Sequence, residues 1–426
     1  MNLAEQMMDL AAKAKAASRG VAKLTVEKKN GCLLAMADAI ERESARIKEA
    51  NVKDMEIGSA AGLSLAMLDR LKIDDKRISA MAKGLREVAA LPDPVRRILE
   101  ERVRPNGLKL QKVAVPIGVI VIIYESRPNV TADAAGLCFK SGNATILRGG
   151  KEAMNSNRVI VEVMLEAAKK YLPEFPQYAI QVVQTTDHQA INELLSLTQY
   201  VDLCIPRGGE GLIRAVAECS KVPVIKHYKG VCHIYVHSKA NLDMAEQIVM
   251  NAKCQRPAVC NAMETLLVDK EIAASFLPRI ANLLWGKNVE LRADAQAYKI
   301  LTPLSIGKKL IQASENDFYN EYNDYIMNVR VVNDVNEAVE HIAKYGSAHS
   351  DAIVTNDEVA ANIFLDGVDS AAVYWNASTR FTDGGEFGMG AEIGISTDKI
   401  GARGPMGLEE LTSYKWIGIG SGQLRI

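Results

Sequence analysis

Fifteen residues carry the clearest chemical potential in this sequence: Asn251-Ala252-Lys253-Cys254-Gln255-Arg256-Pro257-Ala258-Val259-Cys260-Asn261-Ala262-Met263-Glu264-Thr265. A polar, proline-broken connection here joins a helical pattern to an apolar strand. A cysteine on such a connection can be partly exposed, and Lys253 and Arg256 would favour the Cys260 thiolate, the form that attacks an acyl carbon. By residue type alone, a cysteine between a helix and a strand is more commonly inert packing. Both readings stand at this point.

Other chemistries find less support. No GxGxxG follows a strand and opens a helix; Gly388-Met389-Gly390 and Gly418-Ile419-Gly420 lack that context. Neither a Walker A sequence nor HExxH is present. His233 and His237, with Cys232 beside the first, lie on an expected strand, where such a spacing does not converge on a metal as it does on a helix face. They read as polar residues on a strand, and no metal site is expected. The net charge of -1 argues against a nucleic-acid or membrane-surface partner, and 5% aromatic residues argue against a stacking platform. Seven cysteines with no CxxC pair suggest neither a disulfide framework nor structural zinc, and a reducing cytoplasm is the expected setting. The first twenty residues read as an amphipathic helix rather than a signal peptide. The longest apolar run, Val113 to Tyr124, contains Pro116 and is too short to span a bilayer.

The elements that must position Cys260 follow from the apolar spacing. Residues 1 to about 100 look helical: Leu3, Met7 and Leu10, then Leu33, Leu34, Ala37 and Ile40, recur at helical spacing. A further helix is expected from Asp74 to about Ala90, ended by Leu91-Pro92-Asp93-Pro94. Polar and apolar residues alternate over 102–115 about Pro105-Asn106-Gly107, a hairpin signal. Buried-strand runs are then expected at 118–124, 144–147, 179–184, 201–205, 222–225 and 233–236, with amphipathic helices between. This alternation predicts an α/β, doubly wound parallel sheet, whose ligands sit at the carboxyl ends of the strands. A second α/β set begins near Leu242 and includes strands at 265–268 and 351–354 and a helix over 271–284.

Six segments in order, KVAVPIGVIVIIYESRPNVT, KSGNATILRGGKEA, VDLCIPRGG, NAKCQRPAVCNAMETLLV, ASTRFTDGGEFGMGAEIGIST and ARGPMGLEELTSYKW, resemble the gamma-glutamyl phosphate reductase family of the aldehyde dehydrogenase superfamily. The resemblance covers essentially the whole chain. It implies an aldehyde dehydrogenase-like fold: an NADP-binding domain over 1–235 with a hairpin arm near 102–115, a catalytic domain over 236–370, and a return to the cofactor domain with an oligomerisation tail over 371–426. It also implies NADPH-dependent reduction of L-glutamyl 5-phosphate to L-glutamate 5-semialdehyde and phosphate, the second step of proline biosynthesis from glutamate.

Within the resemblance, Cys260 falls on the nucleophile that forms a thioester. Oxidising relatives carry a water-activating Glu where His227 stands here, and losing it would shield that thioester from hydrolysis. A structural role for His227 remains open. Arg148 and Lys151 match the adenosine-ribose segment, and Lys151 replaces a Glu of NAD-preferring relatives, which favours NADP(H). Gly208 and Gly209 match a phosphate-side loop, and Glu321 matches the residue that binds the nicotinamide ribose. The oxyanion-hole amide falls in Glu125–Asn129; Asn129 supplies the residue type, although strict counting gives Ser126. Arg127, Arg256 and Arg380 are candidate anchors for the substrate carboxylate and phosphate, or ion-paired structural arginines. The implied partners are the small substrate, a glutamate 5-kinase that hands it over, and further copies in a homo-oligomer.

Two rivals are an oxidising semialdehyde dehydrogenase, which the missing Glu opposes, and a non-catalytic scaffold homologue, which Cys260 and the cofactor-loop cations oppose. With no kinase segment ahead of the helical start, a stand-alone enzyme is expected rather than a kinase–reductase fusion.

Overall fold

Asn2 caps the first helix: its side chain accepts from Glu5 N, and Glu5 returns the bond to Asn2 N. The computed structural model describes residues 1–425. Helices α1 (Leu3–Val21), α2 (Val26–Arg42), α3 (Ser44–Ala60), α4 (Leu65–Leu71) and α5 (Asp75–Ala90) follow in turn. Cys32, Leu33, Met36, Ala37 and Ile40 form the buried face of α2, which is the 3.6-residue period expressed as packing. Asp74 caps α5 through Arg77 N.

The chain divides into two units. One comprises Met1–Lys226, Gly388–Gly394 and Met406–Ile426; the other comprises His227–Phe387 and Ile395–Pro405. In the first, β1 (Ile98–Val103) and β2 (Lys109–Pro116) pair antiparallel with Val103 opposite Lys109. The Pro105-Asn106-Gly107 turn closes this hairpin, with Gly107 at φ 82°. The first unit's parallel sheet has the order β5-β4-β3-β6, from β3 (Val119–Tyr124), β4 (Ala144–Arg148), β5 (Ile180–Val182) and β6 (Leu203–Arg207). Every residue of β3 is buried, as expected for a strand covered on both faces. Its crossover helices are α6 (Asn129–Lys140), α7 (Met154–Tyr171), α8 (Gln189–Ser196) and α9 (Glu210–Cys219).

The expected strand over 222–225 reduces to one bridge, Cys204 to Val224. Pro223 falls within that run and has no N–H to donate, which explains the short pairing.

The second unit holds a seven-stranded parallel sheet in the order β10-β9-β11-β8-β7-β12-β13. Its strands are β7 (Cys232–Val236), β8 (Met263–Asp269), β9 (Glu290–Ala293), β10 (Leu310–Gln312), β11 (Ile326–Val332), β12 (Ser350–Val354) and β13 (Ala372–Trp375). Helices α10 (Leu242–Cys254), α11 (Lys270–Gly286), α12 (Ala295–Leu301), α13 (Val335–Tyr345) and α14 (Glu358–Gly367) connect them. Ile234, Val236, Leu266 and Val268 pack with Phe276, Ile280 and Leu284 in the larger core of this unit. Two short strands, β14 (Gly394–Ser396) and β15 (Gly404–Met406), precede β16 (Thr412–Ile419). β16 pairs antiparallel with β2, so the tail and the hairpin make one three-stranded sheet. No helix among the described residues is long and apolar enough to cross a membrane.

Candidate active site

Cys260 sits half-buried on a turn between α10 and β8, closed by Ala262 N donating to Val259 O at 3.0 Å. Four contacts hold this turn from below. Gly230 leaves no room for a side chain, since an added Cβ would stand 2.0 Å from Cys260 O. The buried Cys232 Sγ donates to the same carbonyl at 3.3 Å. Thr379 Oγ1 donates to Asn261 O at 2.8 Å, and Asn261 Nδ2 donates to Thr382 O at 2.9 Å. The turn is therefore a braced support for its exposed atoms, which is what a positioned nucleophile needs.

Burial pushes up the thiols of Cys32, Cys138, Cys204, Cys219, Cys232 and Cys254, in the first two to about 12. Such thiols suit packing better than attack. All seven cysteines are unbridged.

Two of the expected cations gather at the turn. Arg380 Nε donates to Gln255 Oε1 at 2.9 Å, and Arg380 also donates to Asn261 Oδ1. Burial works against the Arg380 charge, the nearby Arg256 adds to that, and the thiol of Cys260 acts in the opposite direction. Arg256, Cys260 and Arg380 thus share one neighbourhood. Lys253 does not serve as expected. Its side chain is fully buried in an ion pair with Glu264, Nζ to Oε2 2.8 Å, so its charge is neutralised rather than offered to a thiolate. Burial lifts the Glu264 carboxyl to about 7, against the opposing pull of Lys253. Glu264 Oε1 also accepts from Asn323 N at 3.3 Å, and the Glu321 charge acts on it. One carboxylate thereby ties both ends of the Cys260 turn to the segment carrying Glu321.

His227 opens this unit, its ring 5.9 Å from that of His349 and nearly edge-on. His349 is fully buried, and burial, reinforced by the His227 charge, pushes it down to about 3. It is a neutral imidazole at ordinary pH. Its Nδ1 meets Ser350 Oγ at 2.8 Å, and Ser350 Oγ donates to Thr382 Oγ1 at 2.6 Å. His233 Nδ1 bonds Asp351 Oδ1 at 2.8 Å, and His237 Nδ1 meets Thr355 Oγ1 at 2.8 Å.

The first unit contains its own cleft, a cavity of about 370 Å³ lined by Ile123, Glu125, Ser126, Arg127, Arg148 and Glu152, among others. It opens at the carboxyl ends of β3 and β4, where a parallel sheet binds its ligands. Arg148 is 7% exposed; it donates to Gly149 O at 3.1 Å and Thr186 O at 3.4 Å, while its buried Nε has no partner. That unpartnered nitrogen belongs to a side chain that lines the cleft. Gly150 also lines the cleft, while Lys151, itself exposed, opens the 3₁₀ turn that follows. Ser126 Oγ donates to Glu152 Oε2 at 2.7 Å. Gly208 and Gly209 join β6 to α9, and Gly209 N donates to Glu125 Oε1 at 2.7 Å. Asn129 opens α6 and its amide donates to Asp133 at 3.5 Å, while burial lifts the Asp133 carboxyl to about 6.

Comparison with known proteins agrees with this fold. The aldehyde dehydrogenase family model matches residues 2–299. A gamma-glutamyl phosphate reductase of Sulfurihydrogenibium sp. is 53% identical over 419 residues, 98% of this chain and 94% of the relative. One from Moorella thermoacetica is 53% identical over 425 residues and covers 100% of both chains. The crystal structure of gamma-glutamyl phosphate reductase from Thermotoga maritima superposes with a TM-score of 0.95 at 43% identity, covering 99% of this chain and 100% of that one. The chain belongs to the gamma-glutamyl phosphate reductase family, within the aldehyde dehydrogenases. An acetylating aldehyde dehydrogenase from Geobacillus thermoglucosidasius, 18% identical with a TM-score of 0.69 and covering 100% of this chain and 98% of that one, shares the fold alone.

For this gamma-glutamyl phosphate reductase family member, sequence reasoning passed over Gly230, Asn261, Glu264 and Glu125. Each acts on a residue distant in sequence or through a backbone atom, so no local spacing announces it. Asn261 and Glu264 had a signal in lying in the same stretch as Cys260, and Glu125 in opening the stretch that ends at Asn129.

Proposed function

We propose that this chain reduces L-glutamyl 5-phosphate to L-glutamate 5-semialdehyde and phosphate with NADPH, the second step of proline biosynthesis from glutamate. The observation that carries this reading is the braced turn presenting Cys260 beside Arg256 and Arg380, in a chain of this family.

Cys260 Sγ attacks the acyl carbon; the bond from that carbon to the phosphate oxygen breaks, phosphate leaves, and a thioester remains on the enzyme. Phosphate leaves readily, so this step needs no strong general acid. Arg256 and Arg380 offer cations to the substrate's anionic groups. NADPH, when bound, supplies the hydride that brings the thioester to the aldehyde level. Cys260 Sγ then departs as the carbon–sulfur bond breaks and the semialdehyde is released. The Cys260 N–H is the candidate oxyanion donor of this unit.

The residues of the first-unit cleft fit the cofactor. Arg148, with its orphaned Nε, and Gly150 line this cleft and suit a ligand at the carboxyl ends of the strands. Lys151 would attract a 2′-phosphate.

The decisive test is NADP⁺ reduction by glutamate-5-semialdehyde with and without inorganic phosphate, for wild type and Cys260→Ala. Phosphate-dependent NADPH formation should fall at least about a thousandfold in the variant, with NADPH binding retained. Turnover without phosphate would instead identify an oxidising dehydrogenase, and wild-type turnover by the variant would remove Cys260 as nucleophile.

A further inference from the structure

The amino end of α9 already carries an anion. Gly209 caps this ten-residue helix, and its N–H donates to Glu125 Oε1 at 2.7 Å. Gly208 makes the approach possible: a Cβ there would stand 2.7 Å from Glu125 Oε1 and 2.8 Å from its Cδ. A helix start attracts negative charge because its first N–H groups lack partners and its dipole points positive end outward. Here a side chain of the same unit has taken that position.

Glu125 is also poised to leave. Its backbone is anchored, with Glu125 N donating to Arg207 O at 3.2 Å and Arg127 N donating to Glu125 O at 2.7 Å. Its side chain is exposed, so the carboxylate can rotate into water at little desolvation cost. It borders the 370 Å³ cleft, where Arg148 keeps a buried, unpartnered Nε and Ser126 ties back the second carboxylate, Glu152. Glu125 thus stands both at the wall of a cleft that holds Arg70, Arg127 and Arg148 and on the amino end of α9, whose Leu212 lines the same cleft.

We infer that Glu125 is a built-in competitor for the cofactor's diphosphate: its carboxylate holds the α9 N-terminus until the diphosphate displaces it, and this exchange sets cofactor affinity. The inference rests on the reading of this cleft as the NADP(H) site. Glu125 is an affinity-setting residue, not a catalytic one. The exchange conserves hydrogen bonds at Gly209 N and moves one carboxylate from the helix end to solvent.

The experiment is Glu125→Gln, with NADPH dissociation constants measured by cofactor fluorescence at low and high salt, and thermal unfolding as the control on folding. Glutamine keeps an oxygen to accept from Gly209 N and removes only the charge. NADPH should bind about threefold or more tightly at low salt, and the gain should shrink as salt rises. Adenosine 2′-phosphate, which has no diphosphate, should bind both proteins alike. Unchanged or weaker NADPH binding in Glu125→Gln overturns the inference, as does equal tightening of adenosine 2′-phosphate. Arg148→Met, measured alongside, separates the two readings. If it leaves wild-type NADPH affinity intact, or if wild type binds no NADPH, the cofactor cleft itself is misassigned and the inference falls with it.

Discussion

The carbonyl oxygen of Cys260 lies directly over the α-carbon of Gly230, so close that a Cβ there would stand 2.0 Å from it. The contact is with backbone, which cannot swing aside like the end of a long side chain. Gly230→Ala must therefore push the Cys260 turn away or distort the start of β7. The expected cost is about 1–3 kcal/mol of stability from overpacking, and roughly a hundredfold in kcat from displacing a reacting atom by about 1 Å. Chemical denaturation and steady-state kinetics read the two separately. Full activity in a stable Gly230→Ala protein would mean that the position of the turn is not set from below.

The Lys253–Glu264 pair makes an independent prediction. Removing one partner of a fully buried ion pair strands the other, so Lys253→Met should cost about 3–5 kcal/mol. The double variant Lys253→Met, Glu264→Leu should recover much of that loss, because no buried charge is left uncompensated. Urea unfolding of the single and double variants tests this. Equal losses in both would show that packing volume, not charge, governs the site.

His349 predicts an acid-labile window. Its pKa is about 3 in the fold, against 6.5 for the free side chain, so the unfolded chain binds a proton there that the folded chain refuses. Stability from this group is full above pH 6.5 and is lost as pH falls toward 3, by up to about 1.4 kcal/mol per pH unit. His341, pushed down to about 2 by burial, adds a parallel loss. His349→Gln should flatten the dependence of unfolding free energy on pH across this window; an unaltered slope would assign the acid sensitivity elsewhere.

Lys151, itself exposed, opens the turn beside the Arg148 cleft, so it can be changed with little risk to folding. Lys151→Glu should shift the ratio of kcat/KM values from NADPH toward NADH by about tenfold or more, as a carboxylate repels a 2′-phosphate and accepts from a 2′-hydroxyl. An unchanged ratio would remove Lys151 from the 2′-phosphate site.

What the amino-acid sequence determined by itself was the class of fold and the family. Strands buried on both faces must be apolar throughout, so runs such as GVIVIIY appear in the sequence as plainly as in the sheet. The 3.6-residue period of α2 and the capping Asp74 of α5 are likewise local properties. The six motifs are contiguous strings, and they carried the family resemblance without any coordinates. The tertiary structure decided which charges are available and which backbones touch. Lys253 looked free to stabilise a thiolate, and the fold buries it against Glu264. Gly230 stands 30 residues from Cys260, and Glu125 stands 84 residues from Gly209, yet each pair is in contact. Chain separation of that size leaves no periodic trace, because such contacts arise only when parallel strands set their connecting loops side by side at one end of a sheet.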